Sequence, residues 1–312
     1  MPDGPVLAVV GPTATGKSAV AIEIARRVRG EIINADSMQL YQGMDIGTAK
    51  VAPVERGGVP HHLLDIWPVT KSAAVAEYQA LARATIAQVH ARGHLPVLVG
   101  GSGLYLRGAL DRLEFPGESP AVRARLSDEL REHGALAMHR RLARVDPAAA
   151  VAILPSNGRR IVRALEVIEL TGGPFTARMP GFESIYPVVH VGLDRADLDA
   201  RVEQRVHAMM AAGFLDEVRS LLPRGLRGSP TAGKALGYAQ LLACLDDGGG
   251  LVGDLGAAVE ATARATRRFV RRQRSWFRRD PRIGWLDAAA PPGEVADQAL
   301  LAAAPTLEVC GW

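Results

Sequence analysis

The feature that most constrains this 312-residue chain is "VVGPTATGKSAV" at residues 9 to 20, an apolar run that turns through two glycines into an alanine- and isoleucine-bearing stretch. Gly11, Gly16, Lys17 and Ser18 match G-x-x-x-x-G-K-[ST] with a strand pattern before and a helix pattern after, the context that gives this spacing its meaning. Backbone N–H groups along Gly11, Pro12, Thr13, Ala14, Thr15 and Gly16, Pro12 itself having none, wrap a pocket for phosphate oxygens. The N-terminus of the new helix adds positive potential, Lys17 a point charge, and the Ser18 hydroxyl a ligand for Mg²⁺.

Further strand-length apolar runs occur at "PVLAVV" (5 to 10), "EIIN" (31 to 34), "LPVLVGG" (95 to 101) and "VVHVGL" (188 to 193), with helical periodicity between the first three. Alternating strands and helices predict an α/β fold, a phosphate-loop NTPase-like core with a parallel sheet flanked by helices. Residues 120 to 170 read instead as charged amphipathic helices, and "TGGPFTARMPGF" as a loop. The predicted organisation is therefore a core over 1–115, a helical insertion domain over 116–186, and a resumed core with basic helices over 187–312.

Composition narrows the class. The net charge is only +4, but 33 of the 37 basic residues are arginine, and "RATRRFVRRQRSWFRRDPR" (264 to 282) holds nine of them against one acid, Asp280. Such a stretch, with Phe269, Trp276 and Phe277 interleaved, suits phosphate contact combined with base stacking. It equally suits a solvated helix with its aromatic rings in the core. Cys244 and Cys310 match no metal-ligand spacing and suggest no disulfide framework, and no apolar run reaches the roughly 18 residues needed to cross a bilayer. A cytoplasmic protein with no membrane contact is expected.

Phosphate loops of hydrolases and phosphoryl-transfer enzymes work with an acid at the end of a neighbouring strand. Here the strand "LPVLV" runs into "GGSGLY" without one. The nearest acid after a strand is Asp36, in "IINADSMQLYQGMDIGTAK". At a strand's carboxyl end it would lie in the crevice where open α/β sheets bind ligands, although a solvated turn aspartate fits the spacing as well. His61, His62 and Asp65 are a poor metal set, because adjacent histidines seldom point the same way.

The blocks "GPTATGKS", "NADSMQLYQGMDIGTAK", "PHHLLDI", "LVGGSGLYL", "RRIVRALEV" and "RRQRSWFRRD", in this order, resemble the bacterial tRNA dimethylallyltransferases, also called tRNA isopentenyltransferases, over nearly the whole chain. The resemblance implies transfer of a dimethylallyl group from dimethylallyl diphosphate to N6 of the adenosine at position 37 of tRNA, beside the anticodon. Diphosphate is released and Mg²⁺ is the cofactor. It makes Asp36 the base that takes the N6 proton, with Thr13 and Arg205 on the diphosphate; without it, Arg205 reads as a helix surface charge. It implies tRNA contact by Asp36, Ser37, Met38 and Gln39, by Ser102 and Arg123, by Arg159, Arg160 and Arg163, and by Lys234, Gly237 and Tyr238. It extends the same role to Arg271, Arg272, Gln273, Arg274, Trp276 and Arg278. Ala239 stands where several members carry a basic residue. The partners implied are the tRNA anticodon stem-loop and dimethylallyl diphosphate, and the chain is expected to act as a monomer. Rival readings are an adenylate isopentenyltransferase acting on free nucleotide, a small-molecule kinase with a phosphate loop, and an RNA-binding NTPase without transfer chemistry.

Overall fold

The computed structural model describes residues 4–175 and 181–312; part of the loop expected over "TGGPFTARMPGF" lies outside the described residues. The chain divides into two compact units, residues 1–112 with 184–312, and residues 113–183.

Among its described residues the larger unit is built on six strands: β1 (Val6–Val10), β2 (Gly30–Asn34), β3 (His61–His62), β4 (Leu95–Gly100), β5 (Val188–Asp194) and β6 (Ile283–Asp287). They lie in the order β3-β2-β4-β1-β5-β6, every neighbouring pair parallel. The phosphate-loop strand β1 is central, with Val9 opposite Val99 on one side and Val191 on the other. Strands buried on both faces need apolar residues at every position, and all five residues of β1 are buried.

The strand period of two sends these residues to separate layers. Val6, Ala8 and Val10 join Ile33 and Leu98 in one core, against α2 (Val75–Ala91), α3 (Gly103–Leu110), α8 (Phe214–Leu221) and α9 (Tyr238–Leu242), with α7 (Leu198–Ala211) and α10 (Leu255–Phe277) completing that side. Leu7 and Val9 join Val97, Val99, Val191 and Leu193 in the other, against α1 (Lys17–Arg27) and α11 (Pro292–Val309). Each fully buried Leu, Ile or Val contributes about 1.5–3 kcal/mol, so the two layers supply the main stabilisation.

Two strands escape the sequence reading. β3 is only two residues long, and β6, "IGWLD", is an edge strand with Gly284 and Trp285 exposed, so it shows no continuous apolar run. β6 closes on β5 through Gly192, where a Cβ would lie 2.4 Å from Ile283 Cγ2 and 2.8 Å from the Trp285 ring.

The smaller unit is helical: α4 (Pro120–Val145), kinked at Gly134 with φ 76°, α5 (Pro147–Ala152) and α6 (Gly158–Thr171). Side-chain caps open each helix, as Ser119, Asp146 and Asn157 accept the Val122, Ala149 and Arg160 N–H groups. Its core is Leu126, Met138, Leu142, Ile153, Ile161 and Leu165. Among the described residues no helix is long and apolar enough to cross a membrane.

Candidate active site

The phosphate loop leaves β1 at Gly11, whose φ is 140°, and a Cβ there would stand 2.3 Å from the Leu193 carbonyl oxygen. Gly16, at φ 91°, has open space around it, so its requirement is conformational. Between them Ala14 takes φ 67°, a strained value for a residue with a side chain. The strain is offset from outside the loop. The Ala14 methyl is buried with Leu198, Val202 and Val270, and its carbonyl accepts Arg201 Nε at 2.9 Å. Within the loop, Thr15 Oγ1 and Lys17 Nζ both donate to the Pro12 carbonyl.

Asp36 stands two residues past the end of β2, held by Asn34. The Asn34 side chain accepts the Asp36 N–H at 2.9 Å and donates to the carbonyls of Asp36 and Leu63, each at 3.0 Å. One Asp36 carboxylate oxygen, Oδ1, accepts the Met38 N–H at 2.9 Å. Asn34 is 4% exposed, and nothing in its sequence neighbourhood distinguishes it from an ordinary strand-end asparagine.

Two cavities meet at these residues. One, of about 540 Å³, is lined by Ala14, Gly16, Lys17, Ser18, Asn34 and Gln39 among others; the second, of about 350 Å³, by Ser37, Met38, Ser102, Lys234, Tyr238 and Arg272. Thr13, Asp36, Thr48 and Arg205 line both. The shared wall thus carries two threonines, a carboxylate and a guanidinium next to the phosphate loop. The first cavity is cation-rich. Burial, reinforced by Arg205 and opposed by Asp36, pushes Lys17 down to about 7, and burial also lowers Arg205 despite the Asp36 carboxylate beside it. An anionic ligand beside Lys17 would raise it again and favour its charged form, while Arg205 keeps its guanidinium charge throughout.

The glycines that replace an acid after β4 have a steric reason. A Cβ on Gly100 would lie 2.3 Å from the Ala35 carbonyl oxygen, and one on Gly101 2.4 Å from Gln273 Nε2. The loop "DIGTAK" that brings Thr48 to the shared wall is held by Glu217 of α8, which accepts the N–H groups of Asp45, Ile46 and Gly47 at 2.9, 2.6 and 3.1 Å and the Tyr238 hydroxyl at 2.5 Å.

Several residues expected at an RNA surface are placed otherwise. Tyr238 is fully buried with its hydroxyl on Glu217, and at Gly237, with φ 84°, a Cβ would lie 2.6 Å from the Phe214 ring. Gln273 is buried, bonded to Thr13 and Gly101. Arg274 forms a two-oxygen ion pair with Asp194, because its position on α10 turns toward the end of β5. Trp276 is exposed, with its indole close to Gly103, where a Cβ would be 2.0 Å from its Nε1. Arg271, Arg272 and Arg278 form the exposed side of α10, with Arg272 over the Phe269 ring. In the helical unit Arg123 and Arg163 close on the buried Glu166, while Arg159 and Arg160 are exposed. His61 and His62 part company, His61 bonding the Val59 carbonyl and His62 the Glu31 carboxylate, and Asp65 pairs with Lys50. Among the described residues no group of His, Cys, Asp and Glu has the makings of a metal cluster.

A central strand feeding a phosphate loop, with Thr13, Asp36, Thr48 and Arg205 on the wall that two cavities share, defines an α/β protein with a phosphate-loop core. The family model described as "IPP transferase" matches residues 39–280, and the chain belongs to that family. It is 61% identical over 295 residues to a tRNA dimethylallyltransferase of Parafrankia sp. (strain EAN1pec), covering 94% of this chain and 92% of the relative. It is 60% identical over 310 residues to one of Acidothermus cellulolyticus, covering 98% and 94%. Among solved structures, a full-length tRNA isopentenylpyrophosphate transferase from Bacillus halodurans is similar with TM-score 0.71 and 37% identity, over 99% of this chain and 98% of that one.

Proposed function

We propose that this chain is a tRNA dimethylallyltransferase: it moves the dimethylallyl group of dimethylallyl diphosphate onto N6 of adenosine 37, beside the anticodon, and releases diphosphate. The observation that carries the reading is the wall that the two cavities share, Thr13, Asp36, Thr48 and Arg205. The donor's diphosphate fits the cation-rich cavity at the phosphate loop, and the adenine of an extruded nucleotide fits the second.

In the transfer the allylic C1–O bond breaks, its electron pair leaving with the diphosphate, while the N6–C1 bond forms and a proton leaves N6. Loop amides, Lys17, Arg205 and the Thr13 hydroxyl stabilise the departing charge from positions fixed before the bond breaks. Adenine N6 is a weak nucleophile because its lone pair is delocalised into the ring. Asp36 accepts its proton as the new bond forms, acting as general base. The Ser18 hydroxyl lines this cavity and is a hard oxygen donor of the kind Mg²⁺ accepts together with phosphate oxygens and water. Mg²⁺ held there would neutralise charge on the leaving diphosphate.

Recognition of tRNA on this reading uses the exposed Arg271, Arg272 and Arg278 of α10 with Lys234 near the second cavity, and the exposed Arg159 and Arg160 in the helical unit. Ser37 and Ser102, hydrogen-bonded to each other, and Met38 then hold the flipped nucleotide in the second cavity, with Gln39 on the side of the first. The enzyme works as a cytoplasmic monomer. The experiment is incubation with labelled dimethylallyl diphosphate, and separately with labelled ATP, against unmodified tRNA and free AMP. Label passing from dimethylallyl diphosphate to tRNA alone is expected. Label on AMP, or transfer only from ATP, refutes the reading in favour of a free-nucleotide transferase or a kinase.

A further inference from the structure

Gln273 is the one uncharged side chain in "RRQR", and it is 5% exposed while Arg271 and Arg272 beside it face solvent. Both ends of its amide are used. Oε1 accepts the Thr13 N–H at 3.0 Å, and Nε2 donates to the Gly101 carbonyl at 2.9 Å. One side chain of α10 therefore ties the tip of the phosphate loop to the end of β4, across 260 residues of sequence.

The usual task of a phosphate-loop N–H is to point at phosphate. The Thr13 N–H points at Gln273 instead, so this peptide serves geometry. With the Pro12–Thr13 peptide fixed on one side and the Ala14 carbonyl fixed by Arg201 on the other, the Thr13 side chain has little freedom left. Thr13 lines both cavities together with Asp36 and Arg205. The space is reserved for the bridge as well, since any Cβ at Gly101 would strike the amide. We propose that Gln273 is a positioning residue for the transfer, acting through Thr13, whose hydroxyl it holds where the two cavities meet. The inference rests on the transferase reading above. An amide suits the task because it donates and accepts at once without adding a negative charge beside a diphosphate, as glutamate would.

The test compares Gln273→Met, which keeps the shape and loses both hydrogen bonds, with Thr13→Val and with the double variant. Misplacing a group in contact with the reacting centre costs on the order of ten- to hundredfold in rate. Q273M is expected to lower kcat by that amount with the tRNA Kd within twofold of wild type. The double variant should lose no more than about threefold beyond the weaker single variant, because the two residues act on one group. A kcat within twofold of wild type overturns the assignment, as do losses that multiply in the double variant. Should Q273M fail to fold, Gln273→Asn, the same amide withdrawn by one methylene, is judged by the same criteria. If wild type transfers nothing, the functional reading fails on its own. The affinity of Q273M for inorganic pyrophosphate then decides: a tenfold loss supports the positioning role and an unchanged affinity overturns it.

Discussion

Glu31 lies in β2 at the end opposite Asp36, and its side chain is 3% exposed. It accepts from Arg92 Nε and Nη2 at 2.9 and 2.7 Å, from His94 at 2.6 Å and from His62 at 2.5 Å, which joins β3, β2 and the segment entering β4. The Arg92 hydrogen bond, working against burial and helped by the two histidines, holds its carboxyl down at about 2 from an ordinary 4.5. At ~1.4 kcal/mol per pH unit the depression is worth about 3 kcal/mol. Arg92, His62 and His94 keep 44%, 29% and 34% of their side-chain surface in water, so screening reduces the expected figure to about 2 kcal/mol. Because the folded value is the lower one, the stabilisation is complete above pH 4.5 and is lost as pH falls toward 2. Glu31→Gln should therefore lower the urea midpoint at pH 7 by on the order of 0.7 M, taking m near ~3 kcal/mol/M. The gap between variant and wild type should shrink by roughly half between pH 5 and pH 3. Transfer activity of the folded variant should stay within twofold of wild type, since the change is at the far end of the strand from the site. Equal midpoints at pH 7, or a gap unaltered at pH 3, would refute the reasoning.

Asp36→Asn should lower kcat by about 10²–10⁴ with tRNA affinity within twofold, measured by single-turnover transfer and filter binding; an undiminished kcat removes it as the base. Replacing Arg271 and Arg272 together by alanine should weaken tRNA binding and reduce the slope of log K against log salt by about 1–2, read from a salt titration. With Lys17 pushed down to about 7, pyrophosphate affinity should fall about tenfold for each pH unit above that, and K17R should flatten this limb because its guanidinium stays charged; parallel profiles for the two proteins would count against it.

What could be read from the residues is what local chemistry dictates. The phosphate loop is legible because left-handed backbone at Gly16 and close approach at Gly11 need glycine within a span of eight residues. Asp36 is legible only as a candidate, because an acid past a strand end can face the ligand crevice but a solvated turn aspartate has the same spacing, and the family resemblance chooses between them. The supports of that site act over long distances. Glu217 holds residues 45–47 from about 170 positions away, and Gln273 reaches Thr13 across 260, so neither leaves a spacing to find. Gln273 was also masked by its neighbours, since a run of arginines averages out the one side chain that turns inward. The glycines after "LPVLV" read as a missing acid, and only the packing of Ala35 and Gln273 against them supplies the reason.

The party wall at Thr13, Asp36, Thr48 and Arg205 has a pharmacological corollary. A compound with an anionic head, a short spacer and a flat heteroaromatic tail would occupy both lobes at once. Tethering makes the second engagement intramolecular, so such a bisubstrate ligand should bind far more tightly than either fragment.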